Sequence, residues 1–222
     1  MRTAKYKLTE ETINVNGITL YRIEALKDFS DVKKGDNGGF LEKEDNLSQS
    51  GDCWVYGNAK VYDNAVVYGN AVVFGNAEVY DYAKVCGNAV VYCEAKVYGN
   101  TIVYGNAEVF GNAKVYDYAK VCGNAVVYCE AKVYGNAIVF GNAEIRGDAV
   151  ITSKSDYILF KNWWSSGRFF TWTRSNNMWK VGCFYGTGEE LIEEAYEDGE
   201  KTGEEYERVV KYVEAILKAN KL

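Results

Sequence analysis

The sequence predicts a mainly β protein whose body is a parallel β-helix of six-residue repeats, followed by a small α+β domain. Two columns of residues carry this prediction. An aliphatic residue, almost always Val, returns every six positions from Val55 to Ile151. An Ala follows four residues behind each of these, from Ala59 to Ala149, and Thr101 is the one exception in that column. A repeat of fixed period kept in register over such a length is typical of a solenoid.

Each position of the repeat unit, V-x-G-N-A-x, has a physical meaning. Val is β-branched and suits a short strand. The Ala two residues before each Val points to the same side of an extended segment, so both side chains can face one interior. Gly-Asn, as at Gly57-Asn58, tolerates positive φ and supplies a sharp corner. A short strand and a corner every six residues close into a coil with flat faces, stacked on the next coil at about 4.8 Å.

The segment before the repeat is predicted to form a β-hairpin and a cap. Thr12–Val15 and Ile18–Ile23 are strand candidates, and Asn16-Gly17 between them is a tight-turn pair. Gly51-Asp52-Cys53 already fits the G-N-A register, so we expect the coil to begin before Val55. In that register Cys53 occupies the Ala column and is predicted to be a buried small residue.

Three stretches near the N-terminus carry a resemblance to a known family: Leu20–Leu26, Gly38–Phe40 and Asp45–Tyr56. Together with the repeat, they resemble uncharacterised hexapeptide-repeat proteins of enterobacteria, gut bacteria and their phages. Some of those proteins are described as acyltransferases because of the repeat. The resemblance covers residues 1–150 and implies a left-handed parallel β-helix in which three hexads make one triangular, 18-residue coil. It supplies no catalytic residue.

A longer repeat agrees with a coil of three hexads. The stretch Val79–Asn100 recurs residue for residue as Val115–Asn136, 36 positions later, which is two such coils. A duplication of this length keeps every side chain on its own face. It also means that the repeated residues need not each be functional.

The residue after each Val is predicted to point outward and to form columns along the coil. These columns are rich in aromatic rings, which support each other when stacked one strand apart. Either they are structural, or so much exposed aromatic area marks an interface between copies of the chain, for which a homotrimer is favoured by the resemblance. The interface candidates are Tyr62, Tyr80, Tyr98, Tyr116 and Tyr134. A second column holds Tyr56, Phe74, Tyr92, Phe110 and Tyr128, and a third holds Tyr68, Cys86, Tyr104, Cys122 and Phe140. The corner residues Asn70, Asn88, Asn106, Asn124 and Asn142 are predicted to form an amide ladder.

Composition excludes several classes of function. A net charge of −6 argues against a nucleic-acid partner, and the absence of a long apolar run argues against a membrane span. The chain lacks a recognisable leader, which predicts a location in the cytoplasm of a bacterial host cell. Six Cys without a C-x-x-C pair, in a chain with no His, predict free thiols and no metal site. No cofactor is expected.

The chain is predicted to divide into an N-terminal hairpin and cap (1–46), a β-helix (47–151) and an α+β domain (152–222). In the last of these, Tyr157–Phe160 is a strand candidate, and Arg168–Arg174 with Met178–Phe184 reads as a hairpin. Thr187-Gly188-Glu189-Glu190 is a capping box that opens a helix ending near Glu197, and a second amphipathic helix is predicted from Gly203. With Gly182-Cys183-Phe184-x-Gly186-Thr187 followed by an acidic amphipathic helix, this tail resembles a small domain appended to phage and prophage proteins.

The tail also holds the densest aromatic cluster of the chain, interleaved with basic residues. It is either a small core that caps the open end of the β-helix, or a cleft that binds an anionic or nucleotide-like ligand by stacking and cation–π contacts. The candidate ligand-binding residues are Trp163, Trp164, Arg168, Trp172, Arg174, Trp179 and Lys180.

The absence of His weighs most on function. Acyltransferases of the hexapeptide-repeat class use a His as general base because its pKa lies near neutrality. The sequence therefore favours a non-enzymatic binding protein with no catalytic residue. We expect a phage or prophage accessory, anti-defence protein that sequesters a small anionic ligand or blocks a host protein. An acyl-CoA-dependent acyltransferase and a purely structural assembly scaffold are the alternatives.

Overall fold

The computed structural model describes residues 4–163 and 166–219. It divides the chain into two compact units, Met1–Lys154 and Ser155–Leu222. The division into 1–46, 47–151 and 152–222 stays a prediction. The first unit contains the N-terminal hairpin and the whole repeat region, and the second contains a small sheet and two helices.

The repeat region is a parallel β-solenoid, which confirms the predicted fold class. Each two-residue strand pairs in parallel with the strand 18 residues further along, as Val61 does with Val79 and Val79 with Val97. The coil is therefore three hexads long, and the strands form three sheets. The left-handed sense of the coil stays a prediction from the resemblance.

We number the three faces of the coil by their strands. Face 1 contains β5 (Lys60–Val61), β8 (Glu78–Val79), β11 (Lys96–Val97), β14 (Lys114–Val115), β17 (Lys132–Val133) and β20 (Val150–Ile151). Face 2 contains β4 (Trp54–Val55), β7 (Val72–Val73), β10 (Val90–Val91), β13 (Glu108–Val109), β16 (Val126–Val127) and β19 (Glu144–Ile145). Face 3 contains β6 (Val66–Val67), β9 (Lys84–Val85), β12 (Ile102–Val103), β15 (Lys120–Val121) and β18 (Ile138–Val139).

The two predicted interior columns form the core of the solenoid. Every residue of the Val column and of the Ala column is fully buried, and so are Cys53 and Thr101. The Thr101 hydroxyl donates a hydrogen bond of 2.8 Å to the carbonyl oxygen of Tyr98, so the one polar side chain in the Ala column is satisfied. The interior of the coils from Val55 to Ile151 is therefore almost wholly aliphatic, and most of the polar and aromatic side chains of the repeat stand on the outer surface.

The three corners of the coil differ in whether their first residue is always Gly. The corner after face 3 is Gly in every coil from Gly51 to Gly141. The corners after faces 1 and 2 also carry Asp and Cys at positive φ, for example Asp81 at 57° and Cys93 at 60°. The Asp81 carboxylate accepts a hydrogen bond of 3.1 Å from the backbone N–H of Gly99 in the next coil, so it satisfies a corner amide.

The predicted amide ladder is confirmed along the corner after face 3. Each Asn amide nitrogen donates to the amide oxygen of the Asn one coil later, at distances from 2.9 to 3.1 Å. The ladder runs Asn70, Asn88, Asn106, Asn124 and Asn142. It ties successive coils together outside the backbone ladder.

The N-terminal segment extends the sheet of face 1. Strands β1 (Tyr6–Val15) and β2 (Ile18–Ala25) form the predicted antiparallel hairpin around Asn16 and Gly17, and β3 (Asn37–Leu41) pairs with β2. Because β3 also pairs in parallel with β5, the hairpin and the first coil share one sheet. A 3₁₀ turn at Glu44–Asn46 leads into the coil.

The second unit is a four-stranded antiparallel sheet with two helices. Its strands are β21 (Tyr157–Lys161), β22 (Phe169–Thr173), β23 (Met178–Val181) and β24 (Phe184–Gly186), in that order across the sheet. Helix α1 (Gly188–Glu197) begins at the predicted Thr187–Glu190 capping box, and α2 spans Glu200–Ala219. A 3₁₀ turn, Lys154–Asp156, precedes the sheet.

Two predicted boundaries in this unit were wrong. The hairpin strand predicted to run to Phe184 ends at Val181, because positive φ at Gly182 turns the chain into the separate strand β24. Helix α2 begins three residues before Gly203. That Gly lies against the ring of Tyr196, where there is no room for a side chain, so packing between the helices rather than helix capping accounts for it. Over residues 4–163 and 166–219, no helix is long and apolar enough to cross a membrane.

Candidate functional site

The tyrosines predicted as interface candidates form a continuous stack on face 1. From Tyr62 to Tyr134 the ring centroids lie 4.7 to 5.0 Å apart, and the planes differ by at most 9°. Tyr62 is buried and the other four rings are half-buried. Burial, with the neighbouring phenol and carboxylate groups, raises the pKa of Tyr80 to about 12. The ring faces cover one another, so this column contributes less free aromatic surface than the sequence suggests.

A lysine column runs beside this stack. We use the term for Lys96, Lys114 and Lys132, which pair in register across three successive strands. Glu78, one coil earlier, bridges Lys60 and Lys96 with two contacts of 3.0 Å. Burial alone would raise the pKa of Glu78, but hydrogen bonds from both lysines hold it below its ordinary value. Like charges opposite each other destabilise a sheet, so the lysine column is a locally unfavourable feature of face 1.

The second predicted column, on face 2, is also stacked. The rings from Phe74 to Tyr128 lie 4.7 to 4.9 Å apart with planes within 20°. Arg146 lies over the Tyr128 ring at 5.6 Å from its centroid, in a cation–π contact. This column is therefore a second structural ladder, in which Phe74 is exposed and the rings of Tyr92, Phe110 and Tyr128 are half-buried.

Face 3 and its neighbouring corner carry the most exposed aromatic rings of the solenoid. Tyr68, Tyr104 and Phe140 stand in the predicted third column, where they alternate with Cys86 and Cys122. A hydrogen bond to Cys86 raises the pKa of Tyr68, and one to Cys122 raises that of Tyr104. Because thiols separate the rings, these aromatics lack the mutual stacking that covers the other two columns.

Two tyrosines at the corner between faces 1 and 3 were missed by the sequence analysis. Tyr82 and Tyr118 are 59% and 62% exposed, more than any other aromatic side chain of the solenoid. They occupy the second corner position, where Asn64 and Asn100 stand in the coils before each of them. A signal was available, since a large ring replaces Asn at this position in alternate coils.

The exposed Tyr82 ring forms one wall of a groove. The groove has a volume of about 200 Å³ and is lined by Asn64, Tyr82, Lys84, Asn100 and Ile102. A lysine, a tyrosine and two asparagines thus line one small space. These are the groups that bind a small anion with a planar or apolar part.

The structure does not bring together the six candidate ligand-binding residues of the tail that it describes. Trp172 and Trp179 are cross-strand partners in β22 and β23 and are buried in the core of the second unit with Phe170 and Val181. The Trp172 indole N–H donates to the side-chain oxygen of Asn177 at 3.0 Å. These two rings hold the sheet against the helices.

The remaining candidates lie apart from that core. Lys180 is buried on the opposite side of β23, where its ammonium donates to the carbonyl oxygen of Gly182. Arg174 is half-buried, Arg168 is exposed, and Trp163 is 71% exposed with the Lys161 ammonium over its ring at 3.9 Å. Trp164 lies outside the described residues.

Two concave spaces occur within the second unit. One, of about 300 Å³, is lined by Trp172, Trp179, Thr187, Glu189 and Glu214, among others, and its charged groups are carboxylates. The other, of about 360 Å³, is an apolar groove between β21 and α2 that includes Phe160, Val209 and Tyr212. Among the described residues that line these two spaces, Arg208 is the one cation, so the lining described around the buried tryptophans supplies little of the positive charge that an anionic ligand requires.

A parallel β-solenoid of hexapeptide repeats with aromatic outer columns is the class that the fold and surfaces define. The model of the YdcK β-solenoid repeat family matches residues 59–75. An "Uncharacterized acetyltransferase YdcK" of Escherichia coli (strain K12) is 38% identical over 60 residues, which is 23% of this chain and 18% of that protein. The chain therefore spans under a fifth of that relative. Both similarities support placing the repeat region among the hexapeptide-repeat β-helix proteins.

Proposed function

We propose that this protein is a non-enzymatic binding protein whose solenoid takes up a small anionic ligand at the corner between faces 1 and 3. The observation that carries the proposal is the groove in which Tyr82 and Lys84 lie with two Asn amides. The ammonium of Lys84 supplies charge, the exposed ring of Tyr82 supplies a stacking face, and the amides supply hydrogen bonds. With a volume of about 200 Å³, the groove accommodates one phosphate or carboxylate group together with a small ring. Part of a bound nucleotide would remain exposed to solvent.

The 36-residue duplication supports a second, equivalent groove. Tyr118 and Lys120 repeat Tyr82 and Lys84 two coils later, and Asn100 precedes the later pair as Asn64 precedes the earlier one. Because the duplication spans whole coils, it places the copied residues at the same corner. We therefore expect two ligands for each chain.

The wider role in this proposal is that of a phage or prophage accessory, anti-defence protein in the cytoplasm of a bacterial host cell. Sequestration of a signalling anion is one form of such a role, and blocking of a host protein is the other. The exposed rings of face 3 and its corner offer an apolar surface for a protein contact, including the contact of a homotrimer. The tail cluster from Trp163 to Lys180 is the alternative ligand site.

An acyl-CoA-dependent acyltransferase is the second candidate, and the similarity to the E. coli protein favours it. Its chemistry needs a base of near-neutral pKa. The chain has no His, and the pKa is lowered, not raised, at five carboxyl groups: Asp28, Asp31, Glu78, Glu190 and Glu207. Neither observation supplies the base, so binding without chemistry is the better-supported function.

Calorimetric titration with adenosine monophosphate and with inorganic phosphate tests the proposal. We expect the wild type to bind two equivalents of the nucleotide, with an affinity that falls as salt is added. Lys84→Gln should leave one equivalent, and a double variant with Lys120→Gln should leave none. Arg168→Gln, in the tail, is the matched control and should bind as the wild type does.

Binding that survives in the double lysine variant but fails in Arg168→Gln would move the site to the tail. No binding to any of the proteins would refute ligand sequestration. Turnover of acetyl-CoA by the purified wild type would favour the acyltransferase. Native mass spectrometry of the same preparation reports bound mass and oligomeric state together, and a trimer is the expected state.

A further inference from the structure

Lys5 and Cys53 form a buried amine–thiol pair at the start of the solenoid. The Lys5 side chain is 1% exposed and that of Cys53 is fully buried. The Lys5 amine donates to the carbonyl oxygens of Cys53 at 2.8 Å and Gly51 at 3.3 Å, and lies 3.2 Å from the Cys53 sulfur. No other cysteine in the described residues has a lysine nitrogen at hydrogen-bond distance. The pair therefore differs from the five other thiols in chemical surroundings.

The surroundings raise the fraction of neutral amine at Lys5 above that of an exposed lysine. Burial lowers the pKa of the Lys5 ammonium, although the neighbouring Cys53 and Asp52 oppose that effect. Burial also raises the pKa of the Cys53 thiol. The ring of Phe29 closes one side, 5.2 Å from the Lys5 nitrogen. A neutral amine holds a lone pair beside the sulfur, whereas an exposed lysine at neutral pH is protonated almost completely.

We propose that Lys5 and Cys53 are a modification site at which hydrogen peroxide produces a covalent link between nitrogen and sulfur. In the first step the Cys53 sulfur attacks one peroxide oxygen, the O–O bond breaks, and water leaves. The sulfur is oxidised to a sulfenic acid, and the peroxide is reduced. In the second step the Lys5 nitrogen attacks that sulfur, the S–O bond breaks, and the hydroxide leaves as water with a proton from nitrogen.

Together the two steps convert one thiol, one amine and one peroxide into one sulfenamide and two waters. A second peroxide can insert one oxygen between nitrogen and sulfur, with release of a further water. Sulfenic acids are known to condense with a nearby nitrogen in this way. The 3.2 Å separation of the Lys5 nitrogen and the Cys53 sulfur means that neither backbone segment has to move far.

The link has a structural consequence, because it joins residues 48 positions apart. Lys5 stands immediately before β1, and Cys53 lies in the interior column of the first coil. A covalent bond between them therefore pins the N-terminal hairpin to the solenoid and removes freedom from the unfolded chain. The burial of the thiol makes its oxidation slow compared with that of an exposed cysteine.

Peptide mapping of the full chain after treatment with hydrogen peroxide tests the inference. We expect a peptide containing Lys5 to be joined to one containing Cys53, at a mass lower by two hydrogens or at that mass plus one oxygen. Treatment with dithiothreitol should restore both separate peptides. The linked protein should melt at a higher temperature than the reduced one.

Two variants keep the result interpretable. Cys53→Ala matches the rest of the Ala column and should fold, and it should give no linked peptide and no peroxide-dependent rise in melting temperature. Lys5→Met keeps a long apolar stem and should allow only unlinked oxidation of Cys53. Oxidation of Cys53 in the wild type to sulfinic acid without a link would overturn the inference. So would a Cys53 that stays unmodified when the treatment continues long after the exposed Cys183 has been oxidised completely.

Discussion

The corner after face 3 allows the close approach of successive coils to be tested with a matched pair of substitutions. At Gly87, with φ of 71°, an added Cβ would lie 2.9 Å from the backbone nitrogen and 3.0 Å from the carbonyl oxygen of Gly105. At Gly57, with φ of 60°, the nearest atom to an added Cβ is 3.8 Å away. Both substitutions to Ala put a Cβ at positive φ, but only Gly87→Ala brings it closer to the next coil's backbone than an ordinary van der Waals contact.

The expected magnitudes follow from these distances. The left-handed conformation costs a residue with a Cβ roughly 1–2 kcal/mol, and the reduced freedom of the unfolded chain returns about 0.4–1 kcal/mol. We therefore expect Gly57→Ala to lower the free energy of unfolding by about 0–1.6 kcal/mol. Gly87→Ala adds overpacking of roughly 1–3 kcal/mol, because the backbone of the next coil has to move.

Urea denaturation followed by circular dichroism measures the difference in the free energy of unfolding between the two variants. Hydrogen exchange shows which coils lose protection. In a solenoid each coil contacts only its neighbours, so lost protection should be centred on the coils of Gly87 and Gly105. Equal losses of stability in the two variants would refute the reasoning. In that case the left-handed backbone alone, rather than the close approach, would account for the Gly at this corner.

Three further predictions concern the interior and face 1. Thr101→Val removes the hydroxyl that donates to the Tyr98 carbonyl, and we expect a loss of about 1 kcal/mol in the free energy of unfolding; an unchanged urea midpoint would contradict this. Lys114→Glu places a carboxylate between two members of the lysine column, so the urea midpoint should rise at low salt and return towards the wild-type value in concentrated salt. The pKa of Glu78 is lowered in the folded protein, so its contribution is present above the ordinary glutamate pKa and disappears as the pH falls through the folded-state pKa. Glu78→Gln should therefore flatten the acid limb of the stability curve, and an acid limb identical to that of the wild type would exclude this ion pair as a cause.

The interior of the solenoid could be predicted from the sequence because one short period determines it. Val and Ala recur in fixed register, and a coil has one inside, so every member of both columns is buried. The amide ladder follows from the same period. Face 1 was harder to interpret, because the period places the tyrosines outside but does not show that stacking covers their rings. Exposure depends on what stands in the next coil, as the alternation of Tyr68 with Cys86 illustrates.

The tail shows a different limit. Trp172 and Trp179 were grouped with Arg168 and Lys180 because they are close in sequence. The period of two in a strand places Phe170 and Trp172 on one face of β22, and Trp179 and Val181 on one face of β23. These four residues are the buried ones that meet the helices, whereas Lys180 points to the opposite side. The alternation of side chains along the two strands of the predicted hairpin indicates which residues are buried. Grouping the aromatic residues by their closeness in sequence ignores that alternation.

A residue that departs from the repeat is stronger evidence for a specific function when the 36-residue duplication has not copied it. Tyr82 and Lys84 recur as Tyr118 and Lys120, so one ancestral event explains both pairs, and only binding stoichiometry can show that both are used. Cys53 is a departure without a copy, because the Ala column holds Ala or Thr at every later coil. It also coincides with a buried lysine from outside the repeat, whose position no periodicity predicts. An unrepeated departure that meets a second unusual residue in space is the stronger indication of a specific role. Peroxide treatment therefore tests a specific role of the Lys5–Cys53 pair directly. A substitution within the copied coils must first show whether a residue is used or is only repeated.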